Sequence, residues 1–473
     1  MIPKVIAIVY LIALLGVGFM YKAGVKTRLD YYVAGRKLTP LVLGLSFATA
    51  VTGVWSYIGA PGSGYAYGVP EFASFAAWIP GVAIVAFIWA PRVRKKAAEL
   101  GTTSFTGFIR DAHGGGYALT ALISIVTMAA YVLTFVAALK GLGVMFSPVL
   151  GVSYVPALLI CGVVIIVYSL MGGLRAVVFT DIVGLGFMCI AFGVTVWLIL
   201  SQGGIGAVAA RINDFNPELL HPPTGAPYGA TMAGIWISFL VMYVFYQALP
   251  HYWHYYISLG ETTNKGAAIF TLVATASVCM VPFFIFVGMA GHVLLPGVLE
   301  DADTVMPMIF QAYTNPVVFG LFSIGVFTAI MTTFDGSLLA TTACVDELFL
   351  PLYEKHGQTE AQKLRWGRSI MVVLWAVAVI WAVTSPPALM VQLLVLGWVG
   401  LSAVVAGPTL CYFIKAGTKW GAFFAILVSL IVLVVLSVRG LLGWIEQAFV
   451  ALAVSIAVYY IASAIERKVS PAS

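Results

Sequence analysis

Charged residues are scarce in this chain. They make up 9% of its 473 residues, whereas 62% are hydrophobic, and a soluble domain carries about 25% charge. So few polar side chains could not cover a surface in water, although they suffice for a surface in lipid. The composition therefore excludes a soluble globular protein and predicts a polytopic, all-α membrane protein.

Cysteine is also sparse, and its spacing excludes two further classes of protein. The five cysteines are scattered through apolar segments, are odd in number and form no CxxC pair. A disulfide framework and a cysteine metal site are therefore both excluded. A P-loop motif is missing as well, so ATP is not expected to drive this protein.

Positive charge is unevenly distributed. The net charge is +6, and twenty of the 24 Lys and Arg fall in alternate inter-helix segments; the exceptions are Lys4, Lys140, Arg211 and Arg439. This is the positive-inside bias of a multi-pass protein of the cell membrane. It places the N-terminus outside and the C-terminus in the cytoplasm. Nucleic acid is not implied as a partner, and no obligate protein partner is evident.

Long apolar runs define the predicted spans. A helix needs about 20 apolar residues to cross a bilayer, and the sequence contains thirteen such segments. We interpret residues 1–473 as a single transmembrane domain. The predicted spans cover residues 3–21, 40–60, 72–91, 117–146, 154–170, 180–200, 229–256, 267–295, 313–345, 368–385, 389–413, 420–438 and 441–464.

Two of these spans contain helix-breaking residues. The second combines threonines with Gly53 and then Pro61-Gly62, and the seventh is interrupted at Gln247 to His251. Broken helices at the membrane midplane expose carbonyl oxygens that can bind a cation. Because each interrupted span can begin a set of five helices, the pattern favours an inverted repeat. Its parts would be an extra helix (1–24), two repeats (38–200 and 229–413) and two C-terminal helices (420–464).

The ninth span carries polar side chains on adjacent faces. Thr332 and Asp335 are three residues apart and share one face, whereas Thr333 and Ser337 share the next. Such oxygen atoms suit a small hard cation such as Na⁺. The alternative is that the hydroxyls bond back to carbonyls of their own helix. The neighbouring intramembrane carboxylate favours a functional interpretation.

Four segments together resemble the sodium:solute symporter family. Residues 172–181, which read GGLRAVVFTD, are similar to the family signature, and residues 329–338 resemble its ion-binding helix. Residues 58–65 resemble the end of its first core helix, and residues 30–36 a conserved loop. The four motifs occur in the family's order and span essentially the whole chain.

The resemblance implies a fold of the leucine-transporter type and a sodium site between the second and ninth spans. Carried over, the sodium ligands would be three carbonyls and two hydroxyls. These are the carbonyls of Thr49, Thr52 and Ala329 and the hydroxyls of Thr332 and Thr333. Some members bind a second sodium through the aspartate at position 181, and Asp335 would be its partner there or at an inner gate.

The chain departs from the family pattern at three positions. Gly184 stands where Gln is frequent, and Pro250-His251 is followed by Tyr252 where a basic residue is common. Thr332 replaces the commoner Ser and keeps the hydroxyl. The first two departures concern the residues expected at the second ion site and at the cytoplasmic gate.

Aromatic and polar residues near the two interruptions are candidate solute ligands. They are Trp55, Tyr57, Tyr131, Tyr243, Tyr246 and Gln247. The alternative for each is packing or a place in the interfacial aromatic belt. Residues 56–65 resemble the family branch that carries pantothenate and monocarboxylates, which favours a small carboxylate. Lys140 either snorkels to the outer interface or attracts an anionic solute.

The sequence thus predicts a sodium-coupled symporter that imports a small organic solute. One alternative is a proton-coupled importer of an amino acid or similar solute, with Asp181 or Asp335 as the carrier. Another is a transporter-like solute sensor. A membrane enzyme would need His251 or His254 as a base, and neither has an acidic neighbour in sequence, so no enzyme is expected.

Overall fold

The described part of the chain is helical. The computed structural model describes residues 1–221, 232–246, 248–260, 279–384, 390–440 and 444–469, together with residues 266, 269, 273 and 276. These residues contain no β-strand, in agreement with the predicted all-α class. Within them, eight helical segments have the length and apolar composition needed to cross a membrane.

Eleven helices precede residue 260 in the described ranges. Several begin with a proline, whose missing N–H costs no hydrogen bond in the first turn. They are α1 (Ile2–Lys22), α2 (Arg28–Val33), α3 (Pro40–Thr52), α4 (Ala60–Tyr67), α5 (Pro70–Leu100), α6 (Phe105–Ala112), α7 (Tyr117–Leu150), α8 (Tyr154–Ser201), α9 (Gly204–Phe215), α10 (Met232–Tyr246) and α11 (Pro250–Ser258).

Eight further helices are described after residue 279. The longest begins at Pro316, and Asn315 caps it by accepting hydrogen bonds from Val317 and Val318. They are α12 (Val281–Leu294), α13 (Val305–Tyr313), α14 (Pro316–Asp346), α15 (Leu350–Lys355), α16 (Glu360–Thr384), α17 (Met390–Thr409), α18 (Lys419–Arg439) and α19 (Trp444–Val469).

Both predicted interruptions are present. Helix α3 ends at Thr52, and Gly53 leaves helical geometry (φ −35°, ψ −146°) before a π-helical turn and α4 continue the span. In the seventh predicted span, Leu249 is extended (φ −63°, ψ 137°) between α10 and α11. The chain therefore has two broken helices at the positions that the sequence indicated.

The segment between the predicted spans 154–170 and 180–200 contains a break in helical geometry. Helix α8 departs from helical angles at Gly173 (φ 57°, ψ −153°), a left-handed conformation that glycine adopts without strain. A Cβ at this position would lie 2.5 Å from the carbonyl oxygen of Tyr31. The predicted spans 154–170 and 180–200 are thus two arms of one kinked helix. Asp181 lies fully buried on the second arm.

The most enclosed helices carry the predicted site. Helices α8 and α14 pack against each other, and α1, α3 and α7 pack around them. Helix α14 and the broken span α3–α4 are mostly buried, whereas α1, α16, α18 and α19 expose most of their apolar surface. The exposed apolar surface of the outer helices is what contact with lipid requires.

Candidate functional site

Oxygen atoms from two helices meet beside the break in α3. The Thr332 hydroxyl lies 3.2 Å from the Thr49 carbonyl oxygen and 3.1 Å from that of Ala329. All three residues are fully buried. The structure therefore brings together three of the predicted ligands, in a neutral oxygen set of the kind that binds Na⁺ at a broken helix.

Thr333 holds the broken end of α3. Its hydroxyl accepts a hydrogen bond of 3.0 Å from the Val54 main-chain N–H and lies 3.3 Å from the Ala329 carbonyl oxygen. This approach requires glycine at position 53, because a Cβ there would lie 1.7 Å from the Thr333 hydroxyl oxygen. Thr333 thus caps the break as well as contacting Ala329.

The hydroxyls of Thr49 and Thr52 are used within their own helix. The Thr49 hydroxyl donates to the Ser46 carbonyl at 2.6 Å, and the Thr52 hydroxyl to the Ala48 carbonyl at 2.5 Å. Such back-bonding is common for threonine in membrane helices. The atoms that these two residues can offer to a cation are therefore their main-chain carbonyl oxygens.

Two carboxylates, one on α8 and one on α14, form a second cluster. Asp181 accepts a hydrogen bond from the Ser46 hydroxyl. Asp335 accepts one from the Tyr168 hydroxyl and another, of 2.6 Å, from the Gly336 main-chain N–H. Both carboxylates are fully buried and lie close enough to interact electrostatically. The structure therefore pairs the two aspartates predicted for a second ion or a gate.

The carboxylate pair needs a positive charge or a proton. In the described part of the chain neither aspartate forms an ion pair with a basic side chain. One Asp181 carboxylate oxygen also has no hydrogen-bond partner there. Two ionised carboxylates in a low-dielectric interior repel each other strongly. A proton or a hard cation at this position would relieve the repulsion.

Three of the predicted solute ligands join one aromatic cluster. Tyr131 hydrogen-bonds His251, and their ring centroids are 5.5 Å apart. Tyr246 lies 5.7 Å from Trp398, which in turn lies 5.5 Å from the His251 ring. Tyr243 lies 5.7 Å from Tyr246. The cluster surrounds the start of α11, immediately after the second helix break.

The other three predicted solute ligands are placed differently. The Tyr57 hydroxyl donates to the Met188 carbonyl at 2.8 Å, and its ring centroid lies 4.4 Å from that of Phe284. Tyr57 thus packs against α8 and α12. Trp55 is half-buried on the π-helical turn. Gln247 lies outside the described residues.

Four residues of these clusters were not among the predicted site residues. Ser46 and Tyr168 bond the two carboxylates, and His251 and Trp398 belong to the aromatic cluster. The Pro-His pair at the second break was the available signal for His251. The other three lie on apolar helices without a distinguishing sequence pattern, so their roles depend on which helices meet.

Packing explains why position 184 is glycine here, where glutamine is frequent in the family. A Cβ on this residue would lie 1.9 Å from the Thr328 methyl carbon on α14. The Thr328 hydroxyl is in turn 2.8 Å from the Tyr10 hydroxyl on α1. A glutamine therefore does not fit at position 184 while α8 and α14 keep this separation.

Lys140 of α7 forms a buried ion pair with the segment before α13. Its ammonium nitrogen lies 3.3 Å from an Asp303 carboxylate oxygen and 3.6 Å from one of Asp301. Lys140 is 6% exposed and Asp303 fully buried. Its contacts differ from both roles considered from the sequence, because Lys140 ties α7 to the loop before α13.

An ion-pair network lies at the end of α14. Arg28 pairs with Asp346 at 2.7 Å, and Arg110 with Glu347 at 2.6 Å. Burial opposes the charge on Arg28, but Asp346 and Glu347 outweigh it and raise the pKa of Arg28. The Tyr32 hydroxyl donates to Asp346 at 3.1 Å. These contacts join α2 and α6 to the end of α14.

Broken helices around buried oxygen atoms, within a bundle of apolar helices, are typical of a secondary transporter. The sequence pattern of the sodium:solute symporter family matches residues 31–429. The chain belongs to the sodium:solute symporter family. It is thus a multi-pass membrane protein of a transporter family and not an enzyme. Among the described residues, His251 bonds to Tyr131 and His254 to the Tyr32 carbonyl, and neither bonds to an acidic side chain.

Two sequence relatives and one solved structure show which transporters this chain is similar to. The chain is 28% identical over 393 residues to the sodium/pantothenate symporter of Haemophilus influenzae, covering 79% of this chain and 77% of the relative. It is 25% identical over 459 residues to the sodium/proline symporter of Escherichia coli, covering 93% and 88%. The structure of a Na⁺-coupled sialic acid symporter matches with a TM-score of 0.82 at 19% identity and 98% coverage of both chains. That structural likeness shows a shared fold.

Proposed function

We propose that this protein imports a small organic carboxylate together with Na⁺. The main support is the position of the Thr332 hydroxyl, 3.2 Å from the Thr49 carbonyl oxygen across the break in α3. Na⁺ would bind there, as a co-transported substrate. Its ligands would be the carbonyls of Thr49, Thr52 and Ala329 and the hydroxyls of Thr332 and Thr333.

The proposed architecture has thirteen spans in one domain of the cell membrane. Two five-helix repeats of opposite orientation would each start with a broken helix, α3–α4 and α10–α11. One extra helix would precede them and two would follow. The positive-inside bias supports an external N-terminus and a cytoplasmic C-terminus.

Coupling in this proposal is thermodynamic. Na⁺ contacts both α3 and α14, so it stabilises the conformation in which these helices are held together at the site. A solute that prefers the same conformation then binds more tightly, and by linkage it raises the affinity for Na⁺ by the same factor. The transition to an inward-open state would release both into the cytoplasm.

The solute class rests on the relatives and on the chemistry of their solutes. Pantothenate and proline, for which the sequence relatives are named, and sialic acid, bound by the structural relative, all carry a carboxylate. The bound Na⁺ supplies a positive charge that offsets such a group at the membrane midplane. A monocarboxylate or pantothenate is therefore the proposed solute, in agreement with the motif at residues 56–65.

A second cation is proposed between Asp181 and Asp335. The supporting observation is that both carboxylates are buried and neither has a basic partner in the described residues. The cation would be a second Na⁺ or, in the alternative function, the proton of a proton-coupled importer. The two differ in whether a pH gradient alone drives uptake.

The function is tested by uptake into proteoliposomes. Purified protein would be supplied with labelled pantothenate, lactate, proline and glucose under an inward Na⁺ gradient, a pH gradient or neither. We expect uptake of a carboxylate that requires the Na⁺ gradient. Uptake driven by a pH gradient alone would show that the transporter is coupled to H⁺ and not to Na⁺. Binding without uptake under any gradient would favour a solute sensor.

A further inference from the structure

His251 is the meeting point of three helices beside the second break. It is the second residue of α11 and is 3% exposed. Its ring contacts Tyr131 of α7, Trp398 of α17 and its neighbour Tyr252, with a centroid distance of 4.1 Å to Tyr252. The imidazole is therefore enclosed mainly by aromatic rings.

The contacts of Tyr131 assign the proton on this imidazole. The His251 main-chain N–H donates to the Tyr131 hydroxyl oxygen at 3.3 Å, and the same hydroxyl is bonded to the His251 Nδ1. Among the described residues the Tyr131 hydroxyl has no other acceptor for its own proton, so that proton is directed to Nδ1. A neutral imidazole with an accepting Nδ1 carries its proton on Nε2.

The Nε2 proton is available for a ligand. Among the described residues no hydrogen bond involves the His251 Nε2, whereas the structural His113 uses both ring nitrogens, at 2.8 Å and 2.9 Å. A ring N–H inside an aromatic enclosure is expected to find an acceptor. Here the acceptor would come from outside the described chain, beside the residues proposed to surround the solute.

We propose that His251 is a solute ligand that donates its Nε2 proton to the carboxylate of the transported solute. Tyr131 is then a positioning residue, because it holds the ring and its tautomer. Tyr246, Tyr252 and Trp398 provide the apolar walls for the remainder of the molecule. The inference rests on the proposed function and specifies how that site selects a carboxylate.

Two substitutions separate the donor from the ring's other contacts. In His251→Gln the side-chain amide can reach the position of Nε2 and keep a donor there. In His251→Asn the shorter amide can still bond Tyr131 but ends before Nε2. His254 is the matched control, since it is equally buried one turn further along α11 and bonds the Tyr32 carbonyl at 2.6 Å. All variants are compared at equal thermal stability or corrected for the folded fraction.

Binding of pantothenate and of its alcohol analogue, panthenol, gives the readout. We expect His251→Asn to weaken pantothenate binding at least about tenfold and panthenol binding much less, so that the preference for the carboxylate is lost. His251→Gln should retain most of this preference, and His254→Asn should leave it unchanged. Tyr131→Phe should lower the preference partly, with the Na⁺ affinity measured without solute unaltered.

Other results would overturn the inference. They are an unchanged preference in His251→Asn, or equal losses for His251→Gln, His251→Asn and the His254→Asn control. Because binding is measured without a gradient, it is independent of Na⁺-driven transport. If the wild type binds pantothenate through His251 but fails to transport it, the proposed function fails while this inference stands. If the wild type binds none of lactate, proline and pantothenate, the inference fails.

Discussion

Helix α14 carries two polar clusters of opposite character. Around Thr332 and Thr333 the oxygen atoms are neutral, and they face the carbonyls at the break in α3. Around Asp335 the atoms are carboxylate oxygens that share their surroundings with Asp181 of α8. Three residues along one helix thus separate a set that can bind a metal cation from a pair that can bind either a cation or a proton.

The difference between neutral oxygens and carboxylates shows how α14 can respond to both a metal cation and a proton. Carbonyl and hydroxyl oxygens do not titrate near neutral pH, so Na⁺ binding at the neutral set, as proposed, would not depend directly on pH. Carboxylates exchange protons, so the aspartate pair makes its surroundings dependent on pH as well. Measurements that vary Na⁺ and pH separately can therefore assign an effect to one cluster or the other.

The largest expected effect follows from removing the neutral hydroxyls. In Thr332→Ala combined with Thr333→Ala, two side-chain oxygens are lost and the Val54 N–H loses its acceptor. We expect the Na⁺ concentration for half-maximal uptake to rise about 100-fold. Uptake measured against Na⁺ concentration checks this. The control is Thr332→Ser, which keeps the oxygen, and an unchanged Na⁺ dependence in the double variant would contradict the site.

The next effect concerns the carboxylate pair. Asp181→Asn removes one negative charge. It should lower the affinity for the second cation about 10- to 30-fold, or about 2 kcal/mol. If that cation is Na⁺, the Hill coefficient for Na⁺ should fall to 1. If it is a proton, the dependence of uptake on pH should disappear. The measurement is uptake over a matrix of Na⁺ concentrations and pH values.

Asp335→Asn is the companion variant for the pair. It removes the other charge and keeps a side chain of the same size beside Tyr168 and Gly336. A similar loss in both variants is expected if the two carboxylates hold one ion together. Wild-type dependence on both Na⁺ and pH in the two variants would leave the neutral set as the sole proposed cation site.

A smaller effect should follow from forcing α8 and α14 apart. In Gly184→Ala the new methyl group overlaps the Thr328 methyl, since the distance to it would be 1.9 Å. Overpacking of this kind costs about 1–3 kcal/mol, and thermal unfolding in detergent should reveal it. Adding Thr328→Ser removes the opposing methyl group and should restore much of the stability. If Gly184→Ala is as stable as the wild type, the two helices do not pack as described.

The smallest expected effect is on stability and comes from the protonation of His113, which belongs to neither polar cluster of α14. His113, between α6 and α7, is buried, and burial lowers its pKa from 6.5 to about 4 although the Ile109 carbonyl opposes this. The unfolded state therefore binds the proton more readily, and stability falls as pH drops below 6.5. At pH 5.5 the expected loss is about 1 kcal/mol. It should be absent in His113→Gln, whose uptake should keep the wild-type dependence on pH.

Local patterns in the sequence account for much of the fold and part of the site. Scarce charge and long apolar runs predicted a membrane protein, and helix-breaking residues predicted both interruptions. The clustering of Thr332, Thr333 and Asp335 followed from helical spacing alone. The resemblance to the symporter family supplied the partner helix, and the contact between Thr332 and Thr49 agrees with it.

The segment around Gly173 shows what the predicted spans left open. The sequence separated the spans 154–170 and 180–200, and in the structure only Gly173 leaves helical geometry between them, so the residues from Leu174 to Asp181 remain helical. Likewise, the sequence named Tyr57 as a candidate solute ligand, and only the structure shows that its ring contacts Phe284 of α12. A period of 3.6 residues describes one helix and contains no information on which neighbour each face meets.

Asp181 illustrates the division between sequence and tertiary structure. By itself the sequence determined that this protein lies in a membrane, that two of its helices are broken, and that a carboxylate follows the family signature. Only the tertiary structure decided that Asp181 faces Ser46 and lies near Asp335, and that His251 lies between Tyr131 and Trp398. These pairs are separated by more than a hundred residues in the chain, and the packing of buried helices brings them together.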